Sequence, residues 1–223
     1  LGERVDVWVA DLAAPGDEAV ARCAAVLSEE ERVRAARFRF PALTRRYTVS
    51  HGMVRSVLAD YVGTAPEGLR FDTSAHGKPL LDGPLLDGIA FNLSHSGERA
   101  LLAVSEAGAV GVDVEARRML THLDGVAERI MSRGEYEHFL AADGAAAGNE
   151  VVLTVWTRKE AVLKASGEGI SRPLRAIDVL TGSTAEVDGR RFELTALDVG
   201  DDYLGALAVE GSGWHVAMRT WAP

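Results

Sequence analysis

The chain has 223 residues, 47% of them hydrophobic, and a formal net charge of −9, so it can bury a substantial core as one domain or two small ones. That charge argues against bulk binding to nucleic acid or to an anionic membrane surface. No apolar run approaches the ~20 residues that span a bilayer and the start carries no basic segment followed by an apolar one, so a cytoplasmic protein is expected; the single cysteine, Cys23, excludes an internal disulfide and a cysteine-built zinc site.

In chain order, Val5, Val7 and Val9 alternate with polar or amphipathic neighbours and predict a strand, ended by Pro15 and Gly16. A helix follows to about Leu27. Ser28-x-x-Glu31 is a capping box that starts a second helix, which Pro41 is expected to break. Tyr47, Met53, Val54, Val57, Leu58 and Tyr61 recur at helical spacing, a core-facing stripe on a helix over 43–61. Seven arginines fall between Arg32 and Arg55, a locally basic segment on an acidic protein and a place for an anionic ligand. Thr64–Glu67 is a short turn, Phe71 begins a strand, His76–Pro79 is a loop, and 80–87 is turn-rich.

Ile89–Leu93 reads as a strand leading into Ser94-His95-Ser96-Gly97. Strands over Ala100–Ser105 and Ala109–Glu115 are separated by Glu106-Ala-Gly108, which has the length of a hairpin loop. Helices are predicted over Leu123–Ile130 and Arg133–Ala141, the second opened by a Ser132-x-x-Glu135 box, then a low-complexity loop over Ala141–Gly148. A long helix over Asn149–Ser166 stops at Gly167 and Gly169, and strands follow at 177–180, 186–197, 203–209 and 214–219. Helices then strands, twice over, predict an α+β fold with antiparallel sheets.

Two stretches carry chemistry. On the long helix Glu160 and Lys164 are four apart and share a face; on the strand before it Asp113 and Glu115, two apart, project from one side. If that strand and helix pack together, three carboxylates and a lysine converge, a donor set for a hard cation such as magnesium beside a phosphate. Taken singly, the helix pair also describes an ordinary exposed ion pair, and the strand carboxylates the solvent side of an edge strand. Ser94 and His95 do not read as a hydrolase pair, because neighbours on an extended chain face opposite ways and no Gly-x-Ser-x-Gly turn is present.

Gly111-Val-Asp-Val-Glu115, followed about 40 residues later by Trp156-Thr-Arg-Lys-Glu-Ala-Val-Leu-Lys164, resembles the paired signature of the phosphopantetheinyl transferases, in the Sfp-like branch that modifies carrier proteins. Gly77-Lys-Pro79 and Phe91-Asn-Leu-Ser-His-Ser96 match two further family segments, and the resemblance runs from about Arg32 to Ile170. It implies a pseudo-dimer of two similar α+β halves, 1–107 binding coenzyme A and 108–223 bearing the metal carboxylates and the carrier-protein contact, with the active site in the cleft between them. It implies Mg2+ on Asp113, Glu115 and Glu160, with Glu160 and Lys164 catalytic. Coenzyme A would be held by Arg46 at its 3′-phosphate, Lys78 near the adenine, Ser94 and His95 at the phosphates, and Lys164; Arg34 and Arg37 are further basic candidates.

The reaction implied is transfer of 4′-phosphopantetheine from coenzyme A to a serine of an acyl or peptidyl carrier protein of polyketide, nonribosomal peptide or fatty-acid synthesis, by a monomer, releasing adenosine 3′,5′-bisphosphate. Arg117, Arg118, Met119 and the helices over 121–140 are the candidate carrier surface. Two other classes stay open: a magnesium-dependent coenzyme A diphosphate hydrolase, and a catalytically idle coenzyme A-binding protein.

Overall fold

The computed structural model describes residues 4–74, 77–82, 88–167 and 173–223. Strand β1 (Arg4–Asp11) sinks Val5 and Val7 completely. Helices α1 (Asp17–Val26) and α2 (Glu29–Ala36) follow, the second opened by the predicted box: Glu31 N–H donates to Ser28 Oγ at 3.2 Å and Ser28 N–H to Glu31 Oε2 at 2.8 Å. Pro41 does not break α2, which has already ended; it opens α3 (Pro41–Val62), where a missing N–H and a fixed φ suit the first turn. The stripe on α3 is buried as its spacing predicts, with Met53 and Leu58 fully enclosed.

A short antiparallel ribbon, β2 (Phe71–Thr73) with β3 (Pro79–Leu81), precedes β4 (Ala90–Ser96) and β5 (Arg99–Ser105). His76, the 83–87 part of the turn-rich stretch, and Gly169 and Ile170 lie outside the described residues. The hairpin predicted around 106–108 is not formed. β5 pairs instead with β4 across the Gly97-Glu98 turn, where Gly97 takes φ 56°, while β6 (Val110–Ala116) enters a different sheet. Ser105 Oγ accepts from the N–H groups of Ala107 and Gly108 at 3.4 and 3.2 Å, so the link turns the chain between sheets.

In the second half, α4 (Leu123–Ile130) and α5 (Arg133–Leu140) lead to α6 (Gly144–Ser166). Helix α6 begins inside the stretch expected to be a loop, because Ala145–Ala147 are strong helix formers, and it ends at the left-handed Gly167. Residues 177–180 are not a strand: Val179 N–H donates to Glu135 Oε1 and Arg158 donates to Val179 O, so side chains take the bonds a ladder would use. The predicted 186–197 strand is two, β7 (Thr184–Val187) and β8 (Arg190–Leu197), folded about Asp188 and Gly189, both at positive φ. β9 (Tyr203–Glu210) and β10 (His215–Trp221) complete the chain's strands.

The two larger sheets run β10-β1-β5-β4 and β6-β9-β8-β7, all pairings antiparallel except β1 with β10. The architecture is therefore α+β in two halves, as expected, with one parallel pairing added when the last strand crosses back to the first sheet. The sheets stack through Val5, Val7, Leu101 and Ala103 against Val110, Val112, Val114 and Leu207. Alternate residues of β5, Leu102 and Val104, face α3; alternate residues of β9, Ala206 and Ala208, face α6. The order is helix, sheet, sheet, helix, and both central strands are buried on two faces, which explains the unbroken apolar run Ala100–Val104.

Candidate active site

β6 is an edge strand of its sheet, and its outer N–H groups are met by side chains rather than by another ladder. Val112 N–H donates to Asn92 Oδ1 at 2.9 Å, Val114 N–H to Ser94 Oγ at 3.4 Å, and Ala116 N–H to Ser96 Oγ at 3.1 Å. Asn92, Ser94 and Ser96 alternate along β4, so one face of that strand stitches the halves together. On its other side β6 touches α6 almost backbone to backbone: a Cβ on Gly111 would stand 2.1 Å from Ala161 O and 2.3 Å from Ala165 N. Only glycine permits this approach. It brings Asp113 and Glu115 against the helix face that carries Trp156, Glu160 and Lys164.

Lys164 Nζ donates to Asp113 Oδ1 at 2.6 Å, to Ser94 Oγ at 3.0 Å and to Val112 O at 3.3 Å, and Ser94 Oγ donates to Asp113 Oδ1 at 2.8 Å. Glu115 accepts from Trp156 Nε1, Ser96 Oγ and Arg118 Nη1, each at 3.1 Å. In the sequence Trp156 stands only as part of the paired signature, with no role of its own. Its half-buried indole N–H instead orients a carboxylate, and the signal was present: Trp156, Glu160 and Lys164 are spaced four apart on one face. Lys159, next to Glu160, points the other way. Its ammonium is fully buried against Glu135, Ile130 O and Leu174 O, which fixes the rotation of α6.

The electrostatics are those of crowded anions. Burial pushes the Asp113 carboxyl above its ordinary range, Lys164 and Ser94 oppose this, and Glu115 adds to it. Burial likewise raises Glu160, helped by Asp113 and Glu115 against Lys164. Asp113 Oδ2 and Glu160 Oε1 are both buried without a hydrogen-bond partner. Among the described residues no group of three or more His, Cys, Asp or Glu side chains is arranged to hold a metal ion as it stands. The partnerless oxygens weigh more, because a buried carboxylate oxygen left unmade is costly and an all-oxygen donor set suits a hard cation.

Of the remaining predicted residues, His95 and Arg46 stand apart from this cluster, Lys78 lies behind it and Ser94 within it. His95 points from β4 into a recess of about 510 Å³ that also takes in Arg34, Tyr47, His51, Gly77 and Pro79. The recess lowers its pKa by desolvation, with the charges of His51, Lys164 and Arg46 adding. Tyr47 and His51 stack at 3.9 Å, and Arg34 lies over the Tyr47 ring at 5.8 Å. Arg46 is paired with Glu98. Lys78 does not face the recess: its ammonium donates to Val110 O at 3.0 Å and Lys164 O at 2.7 Å, and burial holds its pKa down at about 8. Ser94 is buried and spent on Asp113, Lys164 and Val114.

Known proteins resemble this chain along its length. The family model described as the 4′-phosphopantetheinyl transferase superfamily matches residues 109–208, and one described as 4′-phosphopantetheinyl transferase, N-terminal, matches residues 14–107. The 4′-phosphopantetheinyl transferase HetI of Nostoc sp. (strain PCC 7120) is 35% identical over 219 residues, covering 96% of this chain and 91% of that protein. The 4′-phosphopantetheinyl transferase Sfp of Bacillus subtilis (strain 168) is 31% identical over 153 residues, 69% of this chain and 66% of that one. A phosphopantetheinyl transferase of Thraustochytrium sp. is 30% identical across 98% of this chain and 82% of its own length.

Proposed function

This chain belongs to the 4′-phosphopantetheinyl transferase superfamily, and we propose that it moves the phosphopantetheinyl group of coenzyme A onto a serine hydroxyl of an apo carrier protein, releasing adenosine 3′,5′-bisphosphate. The observation that carries this reading is the meeting of Asp113, Glu160 and Lys164 around two buried carboxylate oxygens that no protein group satisfies. Asp113, Glu115 and Glu160 are the residues that would hold Mg2+, and the ion would neutralise charge at the coenzyme's diphosphate. Lys164 supplies a fixed positive charge where the leaving phosphate gains negative charge. Glu160 would accept the serine proton directly or through water, a role that a cation held on the same carboxylate would weaken by lowering its proton affinity. Ser94 holds Lys164 and Asp113 in register.

The recess beside this cluster suits the nucleotide of coenzyme A. It is walled by aromatic rings, carries Arg34, His51 and His95, and includes Gly77 and Pro79, the segment the family resemblance assigns to the adenine. Lys78 acts from behind that segment, through the two carbonyls it binds. Arg46 is read as the contact to the 3′-phosphate. For the carrier, Met119 is 64% exposed beside Arg117 and Arg118, and a groove lies between α4 and Trp156. Carriers are usually acidic helical bundles, so an apolar surface flanked by arginines is the complementary face. One chain supplies both sides of the site, which supports a working monomer.

The test is the intact mass of an apo carrier protein after incubation with this protein, coenzyme A and magnesium, with and without chelator. A gain of one phosphopantetheinyl group that chelator abolishes is expected. Cleavage of coenzyme A with no carrier present would point to a hydrolase, and binding without modification of several unrelated carriers to an idle binder.

A further inference from the structure

Arg46 already has an anionic partner. Its Nε donates to Glu98 Oε1 at 3.0 Å and its Nη2 donates to the same oxygen, with the two side chains 32% and 40% exposed. Glu98 is held in place from both halves of the molecule. Its N–H donates to the Tyr203 hydroxyl at 3.2 Å, and its carbonyl accepts from Leu12 N–H at 2.7 Å. The preceding Gly97 is left-handed, and a Cβ there would stand 3.1 Å from the Tyr203 hydroxyl. The turn therefore presents a carboxylate at a fixed point, three residues from His95, whose imidazole feels Arg46, Lys164 and His51 as positive charges. A half-exposed ion pair of this kind contributes little to stability. Its larger effect falls on any anion that needs the same guanidinium.

We propose that Glu98 is a built-in counter-anion that competes with the 3′-phosphate of coenzyme A for Arg46, setting both coenzyme affinity and release of the bisphosphate product. The inference rests on the reading of Arg46 as the 3′-phosphate contact. A guanidinium engages a phosphate best with two parallel N–H donors, and here two of those donors are already committed to one carboxylate oxygen. The phosphate must displace Glu98 or share Arg46 beside a like charge. Substrate and product carry the same 3′-phosphate, so a competing carboxylate weakens both, and the weaker product leaves sooner.

The experiment measures KM for coenzyme A and for 3′-dephospho-coenzyme A, and the inhibition constant of adenosine 3′,5′-bisphosphate, in the wild type, Glu98→Gln, Arg46→Ala and the double variant. Glu98→Gln is expected to lower KM for coenzyme A and the product's inhibition constant together by about threefold, the effect of one partly exposed ion pair. It should leave 3′-dephospho-coenzyme A unchanged, and in the Arg46→Ala background it should do nothing. Weaker coenzyme A binding in Glu98→Gln would mean that Glu98 only orients Arg46, and would overturn the competition. If Arg46→Ala discriminates between the coenzymes while Glu98→Gln is silent, the competition alone fails. If Arg46→Ala weakens both coenzymes equally, the 3′-phosphate assignment falls and the competition with it.

Discussion

At the scale of single residues, Glu160 concentrates the opposing forces in the site. Its Oε1 is buried without a partner, and burial first, then two neighbouring carboxylates, push its proton affinity up while Lys164 pulls it down. Replacement by glutamine keeps the shape and removes the charge. Glu160→Gln is therefore expected to lower phosphopantetheinyl transfer by at least ~10²-fold, the usual size of a lost proton acceptor. Its thermal midpoint without added metal should equal or exceed the wild type's, since one charge leaves a crowded anionic cluster. Retained turnover in the carrier mass assay would remove Glu160 from the chemistry; a large fall in midpoint would make it a structural residue. The spacing of Glu160 and Lys164 was readable in the sequence because helix geometry alone puts residues four apart on one face. The engagement of Trp156 with Glu115 was not, because the two are 41 residues apart and meet only after α6 docks on β6.

At the scale of elements, catalytic geometry depends on how closely α6 rides on β6. Gly111 sets that distance, since a methyl group there would meet helix backbone on two sides at 2.1 and 2.3 Å. Backbone cannot step aside as a flexible side chain can. Gly111→Ala should therefore cost about 3 kcal/mol of stability or more, and the residual folded protein should transfer slowly because Lys164 is displaced from Asp113. Chemical denaturation and the transfer rate measured together check this; a wild-type midpoint with a wild-type rate would sink it. Element identities were largely legible: both capping boxes formed, and the α3 stripe is buried. The misreadings have physical causes. Three residues between two apolar strands suggested a hairpin, yet those strands found better partners in separate sheets. Residues 177–180 have strand-like composition, but Glu135 and Arg158 take their backbone bonds.

At the scale of the whole molecule, the halves are interlocked. β10 lies parallel to β1 in the first sheet, and Arg219 Nε donates to Asp6 Oδ1 at 2.9 Å across that pairing. The outer edge of β6 depends on Asn92, Ser94 and Ser96 of β4. Separately produced segments 1–107 and 108–223 are thus expected to lack cooperative unfolding, the first missing a strand and the second exposing an edge and the apolar face between the sheets. Circular dichroism during thermal melts tests it, and a cooperative transition from either segment alone would refute the interlock.

The sequence by itself determined most of the local features: the helices and most strands, the two capping-box starts, the glycine stop of the long helix, and which residue types stand together on one face. It also carried the two-part signature that led to the family. The tertiary structure decided what those residues meet. It gave Arg46 a carboxylate partner, turned Lys78 toward two carbonyls, buried Ser94, expected at the coenzyme's phosphates, between Asp113 and Lys164, and sent the last strand back to the first sheet. Periodicity and capping are short-range, fixed by backbone geometry within a few residues. Strand partners and the pairing of buried charges are chosen by packing between distant segments, and no local pattern encodes that choice.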